Sequence, residues 1–309
     1  MLLISLELKN TGDWSPWSGL NRAEEALLIQ STMNFLSQLT GCFSTPADGN
    51  PTVAIVEAAY AHHKLNFRYI NTEVQPKDLS AAVEGARAMN WAGFHLSAPH
   101  KVEVIKHLDG LGESAKLMGA VNCAVLRDGK LIGENTDGKG FLESLQEVSD
   151  PVGKVVTILG AGGAARAIAM EVALAGAKSV KIVNRDAQRG KELSKLVKNI
   201  CDSSYYPWDS NFAVPIETEI LVNATTVGMH GNSNASLDIY FDSLNSSMVV
   251  ADVIINPPQT ELLTRATAIG CKTIDGLGMV VNQGVLAIKY WTGVDVDANV
   301  MREKLFEVL

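Results

Sequence analysis

The segment GAGGAARAIA, residues 160–169, combines closely spaced glycines with small apolar residues and could therefore hold a phosphate group. It follows the run VVTIL, whose continuous apolar character is typical of a strand buried on both faces. Gly160 allows a sharp turn, Gly162 lets the backbone approach a pyrophosphate, and Ala165 fits where a helix packs on the strand. The free N–H groups of the helix start favour an anion. This order predicts nucleotide binding, with a purely structural turn as the alternative.

The residues that follow the next strand bear on which dinucleotide binds. The strand SVKIVN ends at Asn184, Arg185 comes directly after it, and Arg189 lies one helical turn later. NAD needs an acidic side chain near this point, whereas two guanidinium groups suit the 2′-phosphate of NADP. Asp186 keeps NAD open, because its carboxylate could accept a ribose hydroxyl or could cap the next helix. The arginines could also be ordinary solvated side chains. We expect NADP, with NAD possible.

Two charged residues and one amide in the first half of the chain could act on a substrate. Lys101 ends the segment LSAPHK, and Asp137 lies in GENTDGKGF. Their spacing does not place them together, and each alone is most often a surface charge. Asn122 lies inside the apolar segment GAVNCAV, where an unpaired amide is costly. An internal hydrogen bond is the alternative to a ligand contact for this residue.

Composition limits the class of protein. A net charge of −8 disfavours broad nucleic-acid binding, which needs a basic face. No uncharged apolar run reaches the ~18 residues that span a bilayer, and the N-terminus lacks the basic start of a signal peptide. The four cysteines form no Cys-x-x-Cys pair and no cluster with zinc-ligand spacing. We expect a cytoplasmic monomer or homodimer that binds a small molecule, without metal, nucleic-acid or membrane partners.

The chain of 309 residues favours two domains. Apolar spacing predicts a helix over residues 22–39, a loop over 42–52, and a helix that follows Thr52 as its N-cap. From residue 152 onward, buried strands alternate with helices, which implies a doubly wound parallel sheet. We therefore predict an α/β protein whose second half is a Rossmann-type domain and whose first half is a separate α/β domain.

A series of motifs resembles the shikimate dehydrogenase family and follows the family's order over residues 41–295. The motifs are GFHLSAPHK, GAVNCAV, GENTDGKGF, ILGAGGAARA, VNRDAQR, VNATTVGM and GLGMVVNQG. The resemblance implies reversible NADP-dependent reduction of 3-dehydroshikimate to shikimate, or reaction of a related cyclic hydroxy acid such as quinate. The alternative is a protein that keeps the fold but binds nucleotide or ligand without turnover. A substrate-binding domain over residues 1–137, completed by 276–309, and an NADP-binding domain over 138–275 are also implied.

The resemblance assigns roles to residues of this chain. Lys101 and Asp137 would flank the carbonyl carbon that exchanges hydride with the nicotinamide, and Ser97 keeps a hydroxyl near the substrate. Asn122 and Gln283 match the amides that contact substrate hydroxyls. The expected cofactor-binding residues lie in the nucleotide motifs and are Gly160, Ala161, Gly162, Gly163, Ala164, Asn184, Arg185, Arg189, Thr225, Gly276 and Met279.

The chain departs from the family pattern where the substrate carboxylate would be bound. The family's Ser-x-Ser-Pro, whose hydroxyls hold that carboxylate, is replaced within DGNPTVA. The two serine positions become Asn50 and Thr52, which we prefer because both side chains can donate hydrogen bonds. A shift of one residue would instead give Pro51 and Val53. His95 stands where the family has Asn, and the tyrosine expected near the substrate is also missing, so a different substrate is open.

Overall fold

A mixed sheet forms the first half of the computed structural model, which describes residues 35–229 and 236–309. Its strands are β1 (Gln38–Ser44), β2 (Phe67–Glu73), β3 (Gly93–Leu96), β4 (Gly110–Leu111), β5 (Cys123–Arg127) and β6 (Lys130–Glu134). They lie in the order β2-β1-β3-β5-β6-β4. The strand β1 is parallel to β2 and β3, whereas β5 is antiparallel to β3 and β6. The carboxyl ends of β1 and β3 therefore open at the same edge of the sheet.

The helices of this half are α1 (Thr52–His62), α2 (Leu79–Ala88), α3 (His100–Glu103), α4 (Glu113–Met118) and α5 (Asp137–Gln146). The predicted N-cap is wrong, because α1 already begins at Thr52. Pro51 precedes it and offers no side-chain cap. The Thr52 N–H donates instead to Asn50 Oδ1, at 3.0 Å.

The strand β1 corrects two expectations about the region before α1. The predicted loop over residues 42–52 is wrong at its start, because residues 42–44 belong to this strand. Residues 22–34 of the helix predicted over 22–39 lie outside the described residues. The prediction is wrong at its end, because β1 begins at Gln38. The last five residues of β1 are all buried, so the strand lacks the alternation of buried and exposed residues that marks a half-exposed strand.

The second half contains a sheet in which all six strands are parallel. Its strands are β7 (Val155–Leu159), β8 (Ser179–Asn184), β9 (Asp202–Pro207), β11 (Ile220–Asn223), β13 (Val249–Asp252) and β14 (Lys272–Ile274). Two short strands, β10 (Phe212–Ala213) and β12 (Ile239–Tyr240), form a separate pair. The order β14-β13-β11-β7-β8-β9 runs both ways from β7. This is the doubly wound Rossmann order, with its crevice between β7 and β11. The predicted fold class is confirmed.

Helices α6 (Gly163–Leu174), α7 (Ala187–Val197) and α8 (Glu261–Ile269) connect these parallel strands. The small residues of α6 let it pack tightly on the sheet, and Ala165, Ile168 and Ala169 are fully buried in one apolar cluster with β7 and β8. No helix in the described parts of the chain is both long and apolar enough to cross a membrane.

The last two helices, α9 (Gly276–Thr292) and α10 (Ala298–Val308), return to the first sheet. Trp291 Nε1 donates to the carbonyl oxygen of Ala124 in β5, at 3.0 Å. Met301 of α10 shares an apolar cluster with Ile55 of α1. Helix α9 also lies close to α5: a Cβ added at Gly140 would come 2.5 Å from the backbone nitrogen of Gln283. The glycine therefore allows the backbones of α5 and α9 to approach closely.

Candidate active site

A cavity of about 310 Å³ lies between the carboxyl ends of the two sheets. Every residue predicted to be catalytic or to bind substrate lines it, and two of the predicted cofactor residues, Ala164 and Met279, do so as well. The lining residues are Cys42, Asn50, Pro51, Thr52, His95, Leu96, Ser97, Lys101, Asn122, Asp137, Ala164, Met229, Val253, Ile255, Met279, Val280 and Gln283. The cavity therefore joins the predicted substrate residues to the start of α6.

Lys101 and Asp137 form an ion pair in this cavity. Lys101 is the second residue of the short helix that follows β3, and Asp137 is the first residue of α5. Lys101 Nζ lies 2.7 Å from Asp137 Oδ2, and the two side chains are 37% and 22% exposed. A charged donor and a carboxylate at this distance form a strong, oriented hydrogen bond. The ammonium is thus held in a fixed place while part of it stays accessible to a ligand.

Asn122 holds the other oxygen of the same carboxylate. Its Nδ2 donates to Asp137 Oδ1 and to Thr136 Oγ1, both at 2.9 Å. Its Oδ1 accepts the Thr136 backbone N–H at 2.7 Å. Both amide protons are therefore used inside the protein, as the internal-hydrogen-bond interpretation expects. In this structure Asn122 orients Asp137 and borders the cavity.

Thr136 is a site residue that was not predicted individually from the sequence, although it lies in the segment GENTDGKGF. Its hydroxyl also donates towards Gln283 Oε1, at 3.4 Å, and this links α5 to α9. Gln283 Nε2 donates to the Val280 carbonyl oxygen at 3.1 Å. The signal that could have found Thr136 is its position beside Asp137 at a strand end, where a buried hydroxyl needs partners.

The loop before α1 presents Asn50, Pro51 and Thr52 to the cavity. Val53 instead packs against the apolar cluster beneath α1. Asn71 Nδ2 donates to the Asn50 carbonyl oxygen at 2.9 Å, so the loop is fixed from both its backbone and its side chain. This geometry favours the alignment with Asn50 and Thr52 over the shifted one. Ser97 lines the cavity from the loop after β3.

The start of α6 fits a dinucleotide phosphate. Gly160 has φ +111°, and a Cβ there would lie 2.9 Å from the Ala224 carbonyl oxygen, so the turn requires glycine. Added Cβ atoms at Gly162 and Gly163 would meet open space, and no side chain caps the helix. The backbone N–H groups at this end are therefore left for an anion.

The other predicted cofactor residues surround this crevice. Thr225 follows β11 and is tied to Asn223 Oδ1 through its N–H, at 3.1 Å, and through its hydroxyl, at 2.8 Å. Gly276 begins α9, and a Cβ there would come 2.4 Å from the Ile254 carbonyl oxygen. Ala161 is partly buried against the apolar cluster of the second sheet.

The structure places the side chain of Asp186 in a capping role. Its Oδ1 accepts the Arg189 backbone N–H at 3.1 Å, which caps α7. Arg185 and Arg189 are both exposed, and the Arg185 guanidinium lies over the Trp208 ring, 5.5 Å from its centroid. Asn184 Nδ2 donates to the Asp186 carbonyl oxygen at 2.9 Å. Two cations therefore lie at the strand end, beside a carboxylate that uses one of its oxygens to cap α7.

Three family models match successive parts of the chain. The shikimate dehydrogenase substrate binding domain matches residues 45–124, shikimate / quinate 5-dehydrogenase matches 143–277, and the shikimate 5′-dehydrogenase C-terminal domain matches 276–306. The shikimate dehydrogenase (NADP(+)) of Desulforamulus reducens is 38% identical over 279 residues, which cover 88% of this chain and 96% of the relative. The chain belongs to the shikimate dehydrogenase family. It is thereby an oxidoreductase of the shikimate dehydrogenase type.

Solved structures of two other members share this fold. The ligand-free 5-ketofructose reductase of Gluconobacter sp. strain CHM43 is 53% identical, with a TM-score of 0.87 over 89% of this chain and 100% of that one. Shikimate 5-dehydrogenase from Listeria monocytogenes, in complex with shikimate and NAD, is 34% identical, with a TM-score of 0.83 over 89% of this chain and 98% of that one. The names show that members with this architecture differ in substrate.

His95 contributes a buried imidazole to the cavity. The ring is 5% exposed and borders the cavity from β3. Burial lowers the pKa of His95 to about 4, while Asp137 opposes and Lys101 adds to that shift. The imidazole is therefore neutral at neutral pH and brings no positive charge to a bound carboxylate.

Proposed function

We propose that this chain is an NADP-dependent reductase of a neutral polyhydroxy ketone of sugar size, such as 5-ketofructose. The observation that carries the proposal is the Lys101–Asp137 ion pair, at 2.7 Å, in a cavity that also borders Ala164 of the glycine-rich segment. A proton donor thus lies beside the expected hydride-transfer site. The choice of substrate within the family rests on the loop that carries Asn50 and Thr52.

The ion pair suits the reduction of a carbonyl group. As the carbonyl carbon gains a hydride, negative charge develops on its oxygen, and the Lys101 ammonium stabilises that charge and gives the oxygen its proton. Asp137 orients the ammonium, and Asn122 holds Asp137. NADPH, when bound, supplies the hydride. Overall, the ketone, NADPH and one proton become a secondary alcohol and NADP⁺, and Lys101 regains its proton from solvent.

Several features support NADP as the cofactor of this chain. The uncapped start of α6 suits the pyrophosphate, and Arg185 and Arg189 suit the 2′-phosphate. Asp186, the acidic side chain that could favour NAD, uses Oδ1 to accept the Arg189 N–H, while both arginines stay exposed. The relative from Desulforamulus reducens carries NADP(+) in its name. We further propose that residues 138–275 form the nucleotide domain, and that residues 1–137 with 276–309 form the substrate domain.

The loop before α1 and the start of that helix suit the hydroxyl groups of a polyol. A carboxylate only accepts hydrogen bonds, whereas a hydroxyl both donates and accepts them. Asn50 and Thr52 each carry donor and acceptor groups at the cavity wall, and the neutral His95 adds no positive charge that would hold a carboxylate. Such a mixed set of donors and acceptors can pair fully with hydroxyl groups. The 5-ketofructose reductase that is 53% identical to this chain supports a substrate of this class.

Steady-state kinetics test the proposal. The oxidation of NADPH is followed with 5-ketofructose and with 3-dehydroshikimate, each over a range of concentrations. We expect kcat/KM to be at least about a hundredfold higher for the neutral ketone, because the serine pair with which the family binds the carboxylate is replaced in this loop. A preference for 3-dehydroshikimate would overturn the substrate class, and turnover of neither ketone would favour the non-catalytic alternative.

We also infer that the protein works in the cytoplasm as a monomer or homodimer. The four cysteines are free, and three of them are buried, which suits a reducing compartment. Light scattering coupled to gel filtration measures the oligomeric state, and a species larger than a dimer would contradict this inference.

A further inference from the structure

His95 and Tyr69 form a buried pair that the mechanism above does not use. The His95 Nδ1 and the Tyr69 hydroxyl lie 2.8 Å apart. His95 Nε2 is buried and has no hydrogen-bond partner in the described parts of the chain. A buried polar nitrogen without a partner costs free energy, and because His95 lines the cavity, a ligand group there can supply that partner.

The surroundings fix the orientation of the His95 ring. Its edge meets the Trp291 ring at 4.8 Å between centroids, and the Tyr69 ring lies 5.9 Å away. Trp291 is itself held by its hydrogen bond to the Ala124 carbonyl oxygen. Rotation of the imidazole would break the contact of Nδ1 with Tyr69 and bury a second unpartnered nitrogen. Nε2 therefore keeps one direction, as a recognition group needs.

The Tyr69 hydroxyl also selects which nitrogen of His95 carries the proton. A phenol is a stronger proton donor than a neutral imidazole N–H, and an unprotonated imidazole nitrogen is the stronger acceptor. Tyr69 is 2% exposed, and burial holds its pKa well above the usual range, so it keeps its proton. Nδ1 therefore accepts the hydrogen bond from the Tyr69 hydroxyl, and Nε2 carries the imidazole N–H.

We propose that His95 is a specificity-determining residue whose Nε2–H donates to a hydroxyl oxygen of the substrate, and that Tyr69 is the positioning residue that fixes it. The inference rests on the proposed function in requiring a substrate that carries hydroxyl groups beside its ketone. The ligand class is therefore a polyhydroxy ketone, and one of its hydroxyls lies in reach of β3. Lys101 and Asp137 act on the carbonyl group, and His95 acts on a different group of the same molecule.

The test is a cycle that combines enzyme variants with substrate analogues. Wild type, His95→Phe and Tyr69→Phe are assayed with 5-ketofructose and with deoxy analogues that each lack one hydroxyl. We expect one analogue to lose about tenfold in kcat/KM with wild type, mostly through KM, because a donor is left unpaired. His95→Phe should lose about tenfold on the parent substrate and lose nothing more on that analogue.

The variants also separate a direct contact from a structural effect. The amide N–H of His95→Gln can replace the Nε2–H, so this variant should recover part of the lost kcat/KM. Tyr69→Phe should weaken the discrimination between the parent and the same analogue while kcat stays within about twofold of wild type. If His95→Phe does not fold, the Gln and Tyr69 variants complete the cycle. The proposal would be overturned if, for every deoxy analogue, the loss in kcat/KM from His95→Phe and the loss from the missing hydroxyl were additive as free energies.

The outcomes distinguish this inference from the proposed function. If wild type reduces 3-dehydroshikimate and not the neutral ketone, the cycle is run with deoxy analogues of that acid. Coupling to His95 would then support the contact while the neutral substrate class fails. If wild type reduces the neutral ketone and no analogue couples to His95, the inference fails while the proposed function stands. A protein that reduces neither ketone overturns both.

Discussion

Lys101 and Asp137 are separated by 36 residues in the chain, yet their charged atoms lie 2.7 Å apart in the folded protein. The short helix α3 carries the lysine, and the aspartate is the first residue of α5. Asn122, just before β5, holds the second oxygen of the carboxylate. The pair therefore depends on three separate segments of the chain, and the consequences of disturbing it can be measured.

Replacement of Lys101 by alanine should lower kcat by about 10²–10⁴-fold, because the developing oxyanion loses its cation and its proton donor. NADP affinity should change little, since Lys101 belongs to the first sheet and the glycine-rich turn to the second. Lys106→Ala is the matched control, because this lysine is exposed and pairs with Glu103. Stopped-flow single-turnover kinetics and fluorescence titration of the cofactor supply the two measurements. A loss of less than about tenfold in kcat would remove Lys101 from its role.

The double substitution Asn50→Ser with Thr52→Ser should move the preference towards a carboxylate. A hydroxyl would replace the Asn50 amide, whose oxygen now accepts the Thr52 N–H, and the hydroxyl at position 52 would stay on a smaller side chain. We expect the ratio of kcat/KM for 3-dehydroshikimate over the neutral ketone to rise about tenfold. Val53→Ala, in the first turn of α1 and packed against the apolar cluster beneath it, should leave this ratio unchanged. An unchanged ratio in the double variant would show that the loop does not bind this end of the substrate.

The choice between NADP and NAD should depend on Arg185 and Arg189. The double variant Arg185→Ala with Arg189→Ala should lose about tenfold or more in the ratio of kcat/KM for NADPH over NADH, because charge-assisted bonds to the 2′-phosphate disappear. Lys191→Ala controls for the loss of positive charge on α7, since Lys191 instead approaches the Tyr205 ring. The account is wrong if the lysine variant changes the cofactor ratio as much as the arginine pair does.

His95 should make the stability of the protein depend on pH. Its pKa is about 4 in the folded protein against 6.5 as the ordinary value, so the unfolded chain binds a proton that the folded protein does not between these values. Stability is therefore lost as the pH falls from about 6.5 to about 4, by about 3 kcal/mol in total. Urea unfolding of wild type and His95→Phe across this range measures the difference. Curves that stay parallel would exclude an unprotonated, buried His95.

A larger part of the fold than of the candidate site could be predicted from the sequence. The run VVTIL, the turn at Gly160 and the small residues after it specify strand, turn and helix locally, so the Rossmann half followed from sequence. The strand β1 did not, because its buried residues lack alternation and stand beside a Pro- and Gly-rich segment. The contact of Lys101 with Asp137 spans 36 residues, so only the resemblance suggested it.

For single residues with two possible roles, the contacts could be read only from the structure. Asp186 could accept a ribose hydroxyl or cap a helix, and the structure shows the capping bond, in which Oδ1 accepts the Arg189 N–H. Asn122 could contact substrate or bond internally, and its two protons are directed at Thr136 and Asp137. Tyr69 and Trp291, which come from distant parts of the chain, set the orientation of the His95 ring, and the role of its Nε2 depends on that orientation.

The central claim is that the chain reduces a neutral polyhydroxy ketone with NADPH, and internal competition tests it most directly. Purified protein receives equal concentrations of 5-ketofructose and 3-dehydroshikimate with limiting NADPH, and mass spectrometry quantifies both alcohols. The product ratio equals the ratio of the two kcat/KM values, and we expect the neutral polyol in about hundredfold excess. Lys101→Ala protein under the same conditions should form neither product at a comparable rate. Shikimate as the main product of the wild-type protein would contradict the account.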